Sequence, residues 1–304
     1  LKKIFYSNGK LLITGEYTVL DGAKALALPT KYGQSLEVTP TATDTVKWTS
    51  IDADGSVWLE AELLKKDIMS NSVAGTSNEA DTLVRILHEA HDANPDIINS
   101  NTGFEVVTKL TFPRNWGLGT SSTLINNIAQ WFGIDAYKLL EKSFGGSGYD
   151  IACAQNDTAI IYNLADGKPI ASPITFNPAF AENIYFVYLN QKQNSREAIE
   201  AYKAHRGEVQ HIIPRIDSLT NDALLSRDLL SSFASALEKH EALMGGVLGI
   251  APVQERLFPD FKGIVKSLGA WGGDFIIAIA EENPIEYFKA KGYNTIVKYS
   301  DMIL

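Results

Sequence analysis

Residues Gly117-Leu118-Gly119-Thr120-Ser121-Ser122 run without interruption into a segment whose apolar positions, Leu124, Ile125, Ile128 and Phe132, share one face of a helix. Glycines let the backbone approach closely whatever the loop faces. The unpaired amides at a helix start point outward, and the helix dipole makes that end partially positive. The segment is therefore a candidate anion site, with phosphate the natural guest and Ser121 able to add an oxygen ligand to a metal. The same residues suit a glycine turn capped by Thr120 or Ser121, and spacing leaves both readings open. It matches neither the GxxxxGK[ST] loop nor a dinucleotide fingerprint with its following acidic residue.

Two further glycine-rich loops carry candidate chemistry. Phe144-Gly145-Gly146-Ser147-Gly148-Tyr149-Asp150 ends on a carboxylate that could orient a hydroxyl or take its proton, and Lys10 could hold that carboxylate ionised. Taken singly, Lys10 also reads as a surface lysine and Asp150 as a turn cap. Leu268-Gly269-Ala270-Trp271-Gly272-Gly273-Asp274-Phe275 joins an expected helix to an expected strand, with Trp271 adding bulk to an otherwise permissive loop. It reads equally as a helix stop followed by a tight turn.

Around these loops the pattern is α+β. Short strands are expected at Ile4–Tyr6 and Lys10–Ile13 on either side of a turn, then a short helix over Glu16–Leu20. Strands follow at Gln34–Thr39, Thr45–Thr49 and Ser56–Glu60, a helix at Asn78–His91, an alternating strand at Phe104–Leu110 and a strand at Thr158–Tyr162. Pro169, Pro173 and Pro178 mark a crossing between domains. Beyond it come a strand at Ile184–Tyr188, helices at Ser195–Arg215, Asp222–Lys239 and Asp260–Leu268, and strands at Phe275–Ala280 and Asn294–Tyr299. The expected division is 1–175 and 176–304.

Charge and composition narrow the class. With 27 basic and 36 acidic residues the net charge is −9, which disfavours nucleic acid as a partner. One cysteine, Cys153, allows no intrachain disulfide and no cysteine-rich zinc cage. No apolar run is long enough to span a membrane, and the start breaks at Ser7–Lys10 before a signal-peptide core forms, so a cytoplasmic protein with no membrane partner is expected.

In order along the chain, Gly9–Gly22, Phe112–Ser122 and Gly269–Asp274 resemble the first, second and third motifs of the galactokinase, homoserine kinase, mevalonate kinase and phosphomevalonate kinase (GHMP kinase) superfamily, with Ser147-Gly148-Tyr149-Asp150 between the second and third. The stretches GEYTVLDG, GSGYD and GAWGGD are more similar to the mevalonate and phosphomevalonate branch than to galactokinase. The resemblance implies two domains: an amino-terminal one like domain 2 of ribosomal protein S5, which binds ATP, and a ferredoxin-like carboxy-terminal one. It implies an ATP- and Mg2+-dependent small-molecule kinase acting on a small anionic acceptor, most simply mevalonate or phosphomevalonate. A homodimer is left open.

By position in the motifs, Lys10 and Asp150 are the implied catalytic pair, Gly117, Leu118, Gly119, Thr120, Ser121 and Ser122 the nucleotide phosphate cradle, and Ser121 the magnesium-associated serine. Glu16, Lys192, Ser195, Arg196, Gly272 and Gly273 are the implied acceptor-side residues; Lys192 and Arg196 could neutralise an acceptor carboxylate or phosphate. Two alternatives stand beside the kinase: an ATP-dependent decarboxylase of the diphosphomevalonate type, and a ligand-binding relative without catalysis.

Overall fold

The computed structural model describes residues 1–72, 77–100, 102–191, 202, 209–271 and 274–304. Its first element, β1 (Lys3–Leu12), is one continuous strand, not two strands about a turn. The polar residues that suggest a turn are pulled inward: Ser7 Oγ donates to Asn127 Oδ1 (2.8 Å) and accepts from Asn126 Nδ2 (2.8 Å). Buried polar groups persist when paired, and these partners lie about 120 residues away. The expected helix over Glu16–Leu20 is a single 3-10 turn, Thr18–Asp21.

Two compact units interleave along the chain. The first comprises Leu1–Gly9, Tyr32–Arg114 and Leu118–Gln155. In it, the second part of β2 (Ala25–Thr41) pairs antiparallel with β5 (Gly103–Leu110), β3 (Thr45–Ile51) runs parallel to β5, and β4 (Val57–Leu64) pairs antiparallel with β3. A parallel pair needs a crossover, and the chain between β4 and β5 supplies it with α1 (Lys65–Met69), α2 (Asn78–Ala93) and α3 (Asp96–Asn99). Ser77 caps α2, its side chain accepting from Ala80 N. α4 (Thr120–Phe132), α5 (Ala136–Ser143) and α6 (Tyr149–Gln155) complete the unit. Leu36, Val38, Trp48 and Val106 of the sheet pack with Leu83, Leu87, Ile128 and Phe132 of the helices, and the expected alternation in Phe104–Leu110 is present.

The second unit comprises Lys10–Lys31, Asn115–Gly117 and Asn156–Leu304. The first part of β2 pairs with β6 (Ile160–Ala165), and β6 with β7 (Lys168–Pro173). The strand order is β4-β3-β5-β2-β6-β7, with β1 also on β2. Pro169 and Pro173, read as part of a crossing, lie on the edge strand β7, where a residue without an N–H is tolerated. A second, antiparallel sheet has the order β11 (Ile296–Lys298), β8 (Ile184–Tyr188), β10 (Phe275–Ile279) and β9 (Ile264–Ser267). α7 (Ile213–Leu225) packs on α8 (Leu230–Leu248), and α9 (Val253–Leu257), α10 (Ile285–Ala290) and α11 (Tyr299–Met302) follow.

Two helix expectations differ here. Asp222–Lys239 is broken, with Leu225 and Leu229 exposed at the break, so the apolar face does not continue through it. Asp260–Leu268 contains a strand, β9, because its short apolar run suits either state until β10 pairs with it, Ile276 opposite Ser267 and Ile277 opposite Lys266. The helix expected over 195–215 lies largely outside the described residues. No helix among the described residues is long and apolar enough to cross a membrane.

The buried Asn127 joins β1 to β2: besides accepting from Ser7, its Nδ2 donates to Gln34 O (2.9 Å). Asn127→Ala, which strands both partners, is expected to lower unfolding free energy by about 1–3 kcal/mol, read as a reduced urea midpoint at unchanged slope.

Candidate functional site: a glycine loop held by three motifs

Gly117, in the second glycine motif, has φ +70°. Lys10 Nζ donates to its carbonyl oxygen at 2.9 Å. On its other side lies the carboxyl of Asp274: a Cβ at position 117 would stand 2.3 Å from Asp274 Oδ2. Both the conformation and the contact require glycine. The two preceding residues are also fastened, since Tyr188 OH donates to Asn115 O (3.0 Å) and Trp116 meets Phe275 edge-on at 5.4 Å. Burial, and then the nearby Asp274 carboxylate, push the Tyr188 phenol upward, which keeps it a donor. Segments of the first, second and third motifs thus meet at one residue within the second unit.

From Leu118 onward the same loop belongs to the first unit. Gly119, at φ +98°, is the N-cap of α4 and supplies no side-chain cap. Thr123 N donates to Gly119 O (2.9 Å) as the first regular helical bond, leaving the amides of Thr120, Ser121 and Ser122 at an open helix start. The hydroxyls divide by depth. Ser122 Oγ donates to Gly119 O (2.9 Å) and Thr123 Oγ1 to Gln34 Oε1 (2.8 Å), both buried, whereas Ser121 is exposed. Leu118 is buried too. Of the expected cradle, Leu118 and Ser122 shape the loop with their side chains, and the Ser121 hydroxyl faces outward.

Asp150 is in the first turn of α6, after Gly145, Gly146 and Gly148, all at positive φ. Its Oδ1 accepts from Ile151 N (3.0 Å). α6 packs on α4, with Gln155 Nε2 donating to Asn126 Oδ1 (2.9 Å), so the helix bearing Asp150 is anchored to the helix that opens at the glycine loop. Tyr137, which the sequence reading does not single out, lies in the field of this carboxylate: burial first, then Cys153, Asp135 and Asp150, raise its phenol to about 12. Lys10 and Asp150 are partly buried and fall in the second and first unit respectively.

Glu16, expected on the acceptor side, is 0 % exposed and turned away from solvent. Lys266 Nζ donates to its Oε1 and, at 2.8 Å, to Ser267 O. His240, also buried, accepts the Gly15 N–H at Nε2 (2.9 Å), with that nitrogen 3.6 Å from Glu16 Oε2. Burial, reinforced by Lys266, pushes the imidazole well below its usual range, so it is neutral, as its acceptor role requires. Burial pushes Glu16 up to about 7 against the pull of Lys266.

Trp271 is buried in an apolar cluster with Tyr17, Tyr202 and Met244. It adopts φ +47°, and the bulk that stands out in the sequence fills this core. Lys192, Ser195, Arg196, Gly272 and Gly273 lie outside the described residues. Sequence reading also misses Lys266 and His240. The signal for Lys266 was a charge inside the apolar run Ile264–Ser267; His240, alone on a helix, carried none.

These features define the two-domain α+β fold of the GHMP kinases. Among solved structures, Methanococcus jannaschii mevalonate kinase superposes with a TM-score of 0.70 at 17% identity, over 96% of this chain and 95% of that one. A Streptococcus pneumoniae phosphomevalonate kinase gives 0.70 at 16% identity, over 99% and 98%. A Lactococcus lactis galactokinase gives 0.68 at 13%, over 95% and 88%. Comparisons of the sequence with protein-family models and with curated proteins give no match.

Two outcomes follow from the geometry. Gly117→Ala must move either Asp274 or the loop, and is expected to lower unfolding free energy by roughly 1–3 kcal/mol, measured as a reduced urea midpoint. For Glu16 the folded chain holds the proton more tightly than the unfolded one, so this group's stabilisation is complete below about pH 4.5 and lost as pH rises through about 7. Urea midpoints of the wild type should fall across that window, and those of Glu16→Gln, which stays neutral, should fall less.

Proposed function

We propose that the chain transfers the terminal phosphoryl group of ATP to a small sugar-like or phosphorylated acceptor, with mevalonate or phosphomevalonate the first candidates. The observation that carries this reading is the meeting of Lys10, Gly117 and Asp274 directly ahead of an uncapped helix start. A carbonyl turned to the lysine and amides left open are an arrangement for anionic oxygens. The finer choice of acceptor rests on GEYTVLDG, GSGYD and GAWGGD, and is supported by the Streptococcus pneumoniae structure, which holds phosphomevalonate and AMPPNP.

In this reading the amides of Thr120, Ser121 and Ser122 bind phosphate oxygens. Among the described residues no cluster of three histidine, cysteine or acidic side chains could hold a metal. Magnesium would take the Ser121 hydroxyl, nucleotide oxygens and water, and its charge would offset that of the phosphates. Asp150 accepts the proton of an acceptor hydroxyl, or orients an acceptor that is already anionic. Lys10 offsets the charge spreading over the transferring group. The acceptor oxygen forms the new bond to phosphorus as the bond to the bridging oxygen breaks, and ADP leaves.

Incubation of the protein with Mg-ATP and a panel of mevalonate, phosphomevalonate, diphosphomevalonate, galactose and heptose phosphates, followed by mass spectrometry of the products, tests this directly. A stable phosphorylated product is expected. Released carbon dioxide would assign the decarboxylase instead, and nucleotide binding without turnover a non-catalytic relative. Asp150→Asn should lower kcat by about 10²–10⁴ with ATP binding retained, and Lys10→Met by about 10²–10³.

A further inference from the structure

We infer that Glu16 and Lys266 are a positioning pair: without touching a substrate, they hold the Lys10 ammonium against the Gly117 carbonyl. The kinetic consequence of this rests on the kinase reading above; the structural one does not.

Two stretches of chain lead from the pair to Gly117, and neither has slack. Going back from Glu16, Gly15 is bound through its N–H to His240, and at φ +81° a Cβ there would stand 2.7 Å from Lys24 O. Thr14 Oγ1 accepts from Leu26 N (3.0 Å), Ile13 N donates to Leu26 O (2.8 Å), and β1 then carries Lys10 to the Gly117 carbonyl. Going forward from Lys266, β9 lies against β10 and Leu268 N donates to Phe275 O (3.2 Å). Asp274, next to Phe275, rests its carboxyl on the Cα side of Gly117. Glu16 to Lys266 closes this ring, joining residues 250 apart in sequence.

The closure is a hydrogen bond between two dry side chains. Both side chains are 0 % exposed, so water and salt do not screen the interaction, and its directional hydrogen bond sets geometry as well as energy. The other titratable groups facing the pair are His240 and Glu241, both from α8. His240 is neutral and occupied by Gly15 N. Glu241 accepts from Val253 N (3.0 Å), Ser267 N (3.1 Å) and Ser267 Oγ (2.9 Å), which fixes the backbone beside Lys266. Neither can replace Glu16 as the counter-charge of Lys266 without giving up those bonds. A pair kept only for stability would be replaceable, because an apolar pair of similar volume often serves a buried site as well or better. A positioning pair is not replaceable in that way.

The test uses the full chain with Glu16→Gln, Lys266→Met and the double variant Glu16→Met/Lys266→Met, which leaves no uncompensated buried charge and guards against loss of fold. Competitive acetylation with acetic anhydride, read by mass spectrometry, reports the exposure of Lys10 relative to the exposed Lys298. In the folded double variant Lys10 should react severalfold faster than in the wild type. With an acceptor found in the panel above, kcat should fall about tenfold or more while KM for ATP stays within about twofold, as expected when a reacting group is displaced but binding is not. Wild-type labelling of Lys10 in the double variant, or a KM rise at unchanged kcat, would overturn the inference. If no acceptor in the panel is phosphorylated, the kinase reading falls while the labelling still decides whether the pair positions Lys10.

Discussion

The carboxyl of Asp274 lies where a side chain at position 117 would be, so position 117 has room only for glycine. Without a Cβ, Gly117 can take positive φ, receive Asp274 on one side and turn its carbonyl to Lys10 on the other. Trp116 and Tyr188 then pin the residues just before it. The loop enters α4 at Gly119, and no side chain caps the amides that follow. Glycine geometry and the bond from Lys10 fix the loop at this point.

Each unit places a buried polar network beneath its share of the motifs. In the first, Ser7, Gln34, Thr123, Asn126 and Asn127 link β1 and β2 to the opening turns of α4. In the second, Glu16, Lys266, His240 and Glu241 link the first motif to the strand that precedes the third. Buried polar groups are unfavourable unless paired, and their pairing is directional, so they select one register where apolar packing would tolerate several. The apolar clusters supply the bulk of the stabilisation; the networks specify how the loops sit on it.

The fold is shared with kinases of quite different acceptors at 13–17% identity, so architecture alone does not choose a substrate. Two local features of this chain lie at motif positions. Trp271 occupies a glycine-rich loop yet turns into the core with Tyr17 and Tyr202, and Glu16 is buried against Lys266. Both substitute packing or pairing for exposure at positions where the motif pattern alone suggests a cleft.

Much of this was written locally. Helix α4 with its glycine entry, the alternating strand β5 and the capped helix α2 are each determined by residues within a few positions, because periodicity, glycine conformations and caps act over one or two turns of chain. The approach of Lys10 and Asp274 to Gly117 was not, since nothing local relates positions 10, 117 and 274. Nor were the burial of Ser7 and Glu16, the strand at Ile264–Ser267, or the inward turn of Trp271: a polar or ambiguous residue takes its place from the partner it meets, and those partners arrive only when distant segments pack. Sequence thus set the candidate loops and their chemistry, and tertiary structure decided which of their side chains are exposed and which are buried behind the loop, because burial is a property of the assembled chain.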